Sequence, residues 1–132
     1  MIRTLVVLSL LVLPLSAGAH PARSPVGQTL SVVSLPGGTA PRQSLQLNAD
    51  GSARGFGGCN SFRTSYTRSD RSLRFGGLRA TRRFCSGAIS KAEQRFFRAI
   101  GNTEAYALVG HDGGLQLLDG KGAVLVTLQP QR

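Results

Sequence analysis

The chain has 132 residues, enough for one domain. It carries 16 Lys and Arg against 6 Asp and Glu, a formal net charge of +10. The length is expected to hold one domain and no more, and a surface so charged draws anions.

Arg3 opens a signal-like stretch. Leu5 to Leu15 is an almost unbroken apolar run, and Ser16 with Ala17-Gly18-Ala19 supplies the small residues of a peptidase site. This order predicts a secretory signal peptide over residues 1–19, cut after Ala19. The run has eleven residues, well short of the roughly 20 that span a bilayer. No cysteine follows it to accept a lipid, and no other segment reads as a membrane span. The protein is expected to be exported, to the periplasm or out of the cell. His20 to Gly27, with Pro21 and Pro25, reads as a mobile leader.

Thr29 to Leu35 is apolar and β-branched, a first strand that Pro36-Gly37-Gly38 ends. Ser44 to Leu47 alternates as a half-buried strand does. Asn48-Ala49-Asp50-Gly51 is turn chemistry, and Ala53 to Gly57 returns as the partner strand. A second hairpin joins Thr64–Arg68 to Ser72–Phe75 through Ser69-Asp70; its Leu73 and Phe75 share one face. Ser90 and Glu93 have the spacing of a capping box that would open a helix over about residues 91–101. Ala92, Phe96, Phe97 and Ile100 form its apolar stripe, expected to be core. Gly101-Asn102 ends it, since both residues accept the left-handed conformation. Strands return at Ala105–Val109, Leu115–Leu118 and Ala123–Leu128, joined by turns at Gly110–Gly113 and Asp119–Gly122. The fold class is α+β: a mainly antiparallel curved sheet with one helix.

Two cysteines in an exported chain read first as a disulfide, Cys59–Cys85. Closing that loop stabilises by roughly 3.5 kcal/mol on the chain-entropy model. The other reading is a reactive thiol, with Arg82 and Arg83 beside Cys85. Two thiols and two histidines without ligand spacing argue against a metal site.

At this point the ordered motifs resemble the META domain family, which includes the HslJ-like envelope proteins. The resemblance rests on Gly55-Phe56-Gly57-Gly58-Cys59-Asn60-Ser61-Phe62, Tyr66, Leu73-Arg74-Phe75-Gly76, Thr81 to Cys85, and Glu93 with Phe96 and Phe97. It extends through Tyr106-Ala107-Leu108, Leu115 to Asp119, Gly122 and Leu125, placing a META-like domain over about residues 28–130. Leu30 stands where the family often has Trp, and Arg83-Phe84 where it often has Met and Ala. Gly58, Cys59, Asn60, Phe62, Tyr66, Thr81, Cys85 and Glu93 read as scaffold. Gly57 and Gly58 allow a bulge or close backbone approach, Asn60 suits a turn or left-handed position, and Thr81 suits a backbone bond. The resemblance implies no enzymatic activity, only a loose link to envelope stress or drug tolerance.

The residue inventory agrees. A hydrolase needs a nucleophile, a base and an orienting group. His111, the one histidine inside the domain, sits at a predicted hairpin tip beside Asp112. Of the acids, Asp50, Asp70, Asp112 and Asp119 fall in predicted turns, with Glu93 and Glu104 remaining. Gly55-Phe56-Gly57-Gly58 lacks the Lys and Ser/Thr of a phosphate loop. No cofactor is expected.

The charge is the anomaly. Between Arg54 and Arg98 lie ten Arg and Lys91 against Asp70 and Glu93. Arg63, Arg68, Arg71, Arg74, Arg79, Arg82 and Arg83 are the candidate anion-binding residues. Phe62, Tyr66 and Phe75 interleave with them, as in single-strand binders, but fit core positions equally well. The first reading is therefore an exported, monomeric, non-enzymatic protein of this family. The second is a basic module for an anionic envelope ligand or membrane surface, with nucleic acid the less expected partner. A solvated, compositionally biased surface is the bland counterpart of the second, and an enzyme of unrecognised type is the third and least expected reading.

Overall fold

The computed structural model describes Gly18, Pro21 and residues 23–132. The signal-peptide reading therefore lies outside the described residues, Gly18 apart. Alternating sequence builds nine strands and one helix: β1 (Thr29–Ser34), β2 (Ser44–Leu47), β3 (Ser52–Phe56), β4 (Ser61–Ser69), β5 (Ser72–Phe75), β6 (Arg79–Ala80), α1 (Gly87–Gly101), β7 (Ala105–Val109), β8 (Gly114–Leu118) and β9 (Val124–Pro130). Among the described residues no helix is long and apolar enough to cross a membrane.

The strands pair antiparallel in the order β3-β2-β1-β9-β8-β7-β5-β4-β6, and β3 also pairs with β4. That extra pairing closes the sheet on itself. Eight strands form a ring, and β6 hangs on β4 beside β5. The α+β class holds; closure of the sheet goes beyond it. The thinnest seam is β5–β7, held by one register pair, Ser72↔Ala105, and by backbone bonds from Leu73 to Glu104 and from Tyr106 to Arg71.

Inside the ring lie Leu30, Leu45, Leu47, Leu73, Leu115, Leu117, Val126 and Leu128, all fully buried. Burying each such side chain contributes about 1.5–3 kcal/mol before entropy is counted. The helix adds Ala92, Phe96, Ala99 and Ile100 from one face, as its stripe predicts. Phe97 is half-buried, and the Phe62 ring meets Phe96 and Phe97 in T-shaped contacts at 5.9 and 5.3 Å.

Several local expectations are corrected. The helix begins at Gly87, with Ser86 as N-cap and no side-chain cap bond. Ser90 is already helical, its N–H bonded to Ser86 O, so the Ser90–Glu93 capping box does not exist. Asn102 closes the helix in a right-handed conformation, φ −93° and ψ 0°, not a left-handed one. The leader over 20–27 is attached from Arg23 onward. Arg23 N bonds His111 O, Pro25 is buried, and Val26 and Gly27 reach Leu47. β4 starts at Ser61 rather than Thr64, and β6 was not expected.

Glu93 does something other than cap. Its Oε2 accepts from the backbone N–H of Cys59 (2.9 Å) and Asn60 (2.6 Å), and its Oε1 accepts from Asn60 Nδ2 (2.7 Å). Asn60 Oδ1 in turn accepts from Thr81 Oγ1 (2.9 Å) and from Arg83 N (2.6 Å), while Nδ2 also reaches Arg83 O (3.3 Å). The Asn60 amide thus uses both donors and both acceptor sites. Asn60 is not left-handed, and Thr81 bonds a side chain with its hydroxyl while its N–H goes to Ser61 O.

Two glycines make room for this clamp. A Cβ at Gly57 would lie 2.7 Å from Glu93 Oε2 and 2.6 Å from the Phe97 ring, and Gly58 sits at φ +118°. Gln43, fully buried, ties the same corner to the helix: Nε2 donates to Gly57 O and Ala92 O, and Oε1 accepts from Ala40 N. Beside it Cys59 and Cys85 form a disulfide with Cα atoms 6.0 Å apart, across 26 positions of sequence.

Removing the carboxylate leaves two buried backbone donors and one buried amide donor without partners, each costing about 1–3 kcal/mol. Glu93→Ala is therefore expected to destabilise by about 3 kcal/mol or more in urea unfolding of the oxidised protein. Asn60→Asp, which turns two donors into acceptors facing acceptors, should be comparably damaging. A loss under about 1 kcal/mol for both would mean water replaces the clamp.

Candidate functional site

Three strands beside the clamp, β3, β4 and β6, carry an arginine row. Antiparallel registers place Gln46 opposite Arg54, Arg54 opposite Arg63, and Arg63 opposite Arg79. Directly paired residues share a face of a sheet. Leu45, Ala53 and Phe62 point into the core, so alternation turns Gln46, Arg54 and Arg63 outward. Thr29, opposite Gln46, extends the row on β1. Neighbouring strands lie about 4.8 Å apart, so the three arginine Cα atoms span roughly 10 Å.

The row lines a groove of about 470 Å³. Arg54, Arg63 and Arg79 supply its charge, and Thr29, Ser44, Gln46, Ser61 and Thr81 supply neutral polar groups. Gly55, Phe62 and Ala80, which alternate with the outward residues, complete its lining, and no carboxylate lines it. Gln46 Oε1 accepts from Thr29 Oγ1 at 3.1 Å and, at the long limit of 3.4 Å, from Arg54 Nη2. Like charges directly opposite one another are destabilising, so the row costs stability in the absence of an anion.

The other predicted arginines are distributed elsewhere. Arg82 and Arg83 are exposed on the loop that follows β6, next to Thr81 at the rim. Arg68 and Arg71 are exposed at the β4–β5 turn. Arg74 lines a separate hollow with Glu104, Asp119 and Lys121, where acids offset its charge. Arg54, which bounded the basic segment but was not among the seven, belongs to the site. Its signal lay in the register of the β3–β4 hairpin, which pairs Phe56 with Ser61 and so Arg54 with Arg63.

The family-motif residues gather at the neighbouring corner. Gly58, Cys59, Asn60, Thr81, Cys85 and Glu93 meet in the clamp, and Phe62 lies beneath it. Tyr66 stands apart, its hydroxyl donating to Asn48 O at 2.5 Å. His111 is exposed in the β7–β8 turn, and with Asp112 and Arg23 it lines a hollow of about 560 Å³ that no Ser, Thr, Cys or Lys lines. The arginine groove has hydroxyls but no His, Asp or Glu to act as a base. Neither hollow brings a nucleophile and a base together. Asp50, in the β2–β3 turn, accepts from the Oγ and N–H of Ser52, which hold its carboxyl below the usual range; it is fully exposed.

The sequence model described as the META domain matches residues 26–132. An NMR structure of a protein from Burkholderia xenovorans superposes with a TM-score of 0.63 at 23% identity, covering 98% of this chain and 99% of that one. At that identity the likeness concerns the fold. No curated protein matches this chain.

A row that costs stability makes a specific demand. Arg63→Gln, flanked by cations on both sides, should leave the fold as stable as before or more stable by up to about 1 kcal/mol at low salt. The gain should shrink as salt rises. Thermal unfolding at two ionic strengths reads this, and a loss above about 1 kcal/mol would make Arg63 a scaffold residue instead.

Proposed function

The chain belongs to the META domain family, and on that premise we propose that it is an exported, non-enzymatic module that binds an anionic ligand in the Arg54–Arg63–Arg79 groove. The observation that carries the reading is the unneutralised arginine row itself. Three guanidinium groups at strand spacing present planar donor forks, which suit phosphate, sulfate or carboxylate. Five neutral polar side chains beside them offer hydrogen bonds to hydroxyls of the same ligand. Binding is favoured over catalysis because no side chain lining the groove is an obvious proton acceptor at neutral pH.

Export is supported by the residue order at 1–19 and by the Cys59–Cys85 bond, which persists in oxidising compartments. A role in envelope stress or drug tolerance belongs to the same reading and rests on the family alone.

Two measurements test it. Protein recovered from its own envelope or culture fraction should have an intact mass that begins at His20, with no thiol alkylated until reduction. A mass retaining Met1, or free thiols, would overturn export. A short sulfated oligosaccharide, used as a soluble polyanion, should bind at low salt and release steeply as salt rises. Replacing Arg54, Arg63 and Arg79 together with Gln should abolish that binding, whereas replacing Arg68, Arg71 and Arg74 should spare most of it. Equal losses from the two triple variants would reduce the groove to diffuse charge.

A further inference from the structure

Among the described residues one large apolar side chain stands out by its exposure. Phe84 is 99% exposed, while Val33, Leu108 and Val124 are only about half exposed, at 49%, 48% and 44%. The exposure is not that of a loose loop. Immediately before Phe84, Arg83 is held by Asn60 through both its N–H and its carbonyl. Immediately after it, Cys85 is bonded to Cys59. The aromatic ring is held in water between two anchors, against the usual preference to bury such area.

Its surroundings are cationic. Arg82 and Arg83 precede it, both exposed, and Thr81 and Arg79 before them line the groove. From Cys59 to Ala92 the sequence holds seven arginines and one lysine but a single acid, Asp70, in the β4–β5 turn. A protein partner would need a socket shaped for one protruding ring. A lipid surface needs none: an aromatic ring settles at the boundary of headgroups and acyl chains, and arginines pair with the phosphates above it.

We infer that the Arg82-Arg83-Phe84 tip docks on an anionic phospholipid surface. Phe84 enters the interfacial layer, Arg82 and Arg83 engage lipid phosphates, and the adjoining groove receives a headgroup. The last element rests on the anion-binding reading above; insertion of Phe84 does not.

The chain contains no Trp, so Phe84→Trp is a single-tryptophan reporter at the point of contact. The mature protein is mixed with vesicles of phosphatidylglycerol and phosphatidylcholine, or of phosphatidylcholine alone, at low salt. Emission should shift to the blue and be quenched by brominated acyl chains in the anionic vesicles alone. Phe84→Ser should weaken partitioning about tenfold or more, the change expected from withdrawing one buried aromatic, and should leave binding of the soluble sulfated oligosaccharide unchanged. Arg82→Gln with Arg83→Gln should weaken partitioning as well. Unchanged emission with anionic vesicles overturns the inference; if the oligosaccharide still binds, the groove reading stands alone, and if it does not, both fall. A shift with phosphatidylcholine alone removes the anionic requirement. A concentration-dependent shift without vesicles would assign the tip to a second copy of the chain.

Discussion

A buried carboxylate holds this structure together at the point where its parts could otherwise separate. Glu93 projects from the helix onto the backbone donors of Cys59 and Asn60, in a connection between strands that has no ladder to satisfy it. Asn60 passes the constraint on to Thr81 and Arg83. One acid and one amide thereby fix the helix, the β3–β4 connection and the segment after β6. The disulfide and Gln43 tie the same corner, so the loop is restrained by a covalent bond and by hydrogen bonds from two buried side chains. A buried acid is expensive unless every lone pair facing protein is used. Here three donors meet it, and a glycine at position 57 keeps the approach open.

That fixed corner also sets the geometry of the charge. β6 is two residues long and pairs only with β4. It would have little reason to stay there without Thr81 and Arg83 held by Asn60. Because it stays, Arg79 completes the row begun by Arg54 and Arg63. The arrangement is unfavourable taken alone, three like charges on neighbouring strands with no acid lining their groove. Stability is supplied in the core and spent at the surface, a pattern that fits a binding face better than a packing one.

Much of this was readable from residues and some was not. Apolar patterning and turn chemistry locate β1, β2, β5, β7 and β8 almost to the residue, because their inward positions are filled mostly by Leu, with Val32, Phe75 and Tyr106. The apolar stripe marks the helix, but its start lies at Gly87, ahead of the Ser90 that capping spacing points to. Ser90 and Glu93 have capping spacing by coincidence, and the true partner of Glu93 lies more than thirty positions away. Spacing rules describe local bonds, so a carboxylate committed to a distant backbone escapes them. Ring closure is hidden for a related reason: it depends on β3 pairing β4 across Gly57–Asn60, a connection shaped by two glycines and by Glu93 reaching in from the distant helix. Without that register, Arg54 had no visible link to Arg63. The seven arginines chosen by charge alone were a list, and the fold divides them among a groove, a loop tip, a turn and a hollow shared with acids.

Closing the sheet has a consequence for how the protein meets others of its kind. An open sheet ends in strands with unpaired N–H and C=O groups, and these recruit further strands into aggregates. In the ring each of the eight strands has neighbours on both sides. The one strand left outside is two residues long, begins with an arginine, and offers almost no length for another chain to extend. Among the described residues, then, open edge is confined to the short β6 and to the thinly paired β5–β7 seam. That protection resides in the topology of the sheet and not in the charge of its surface.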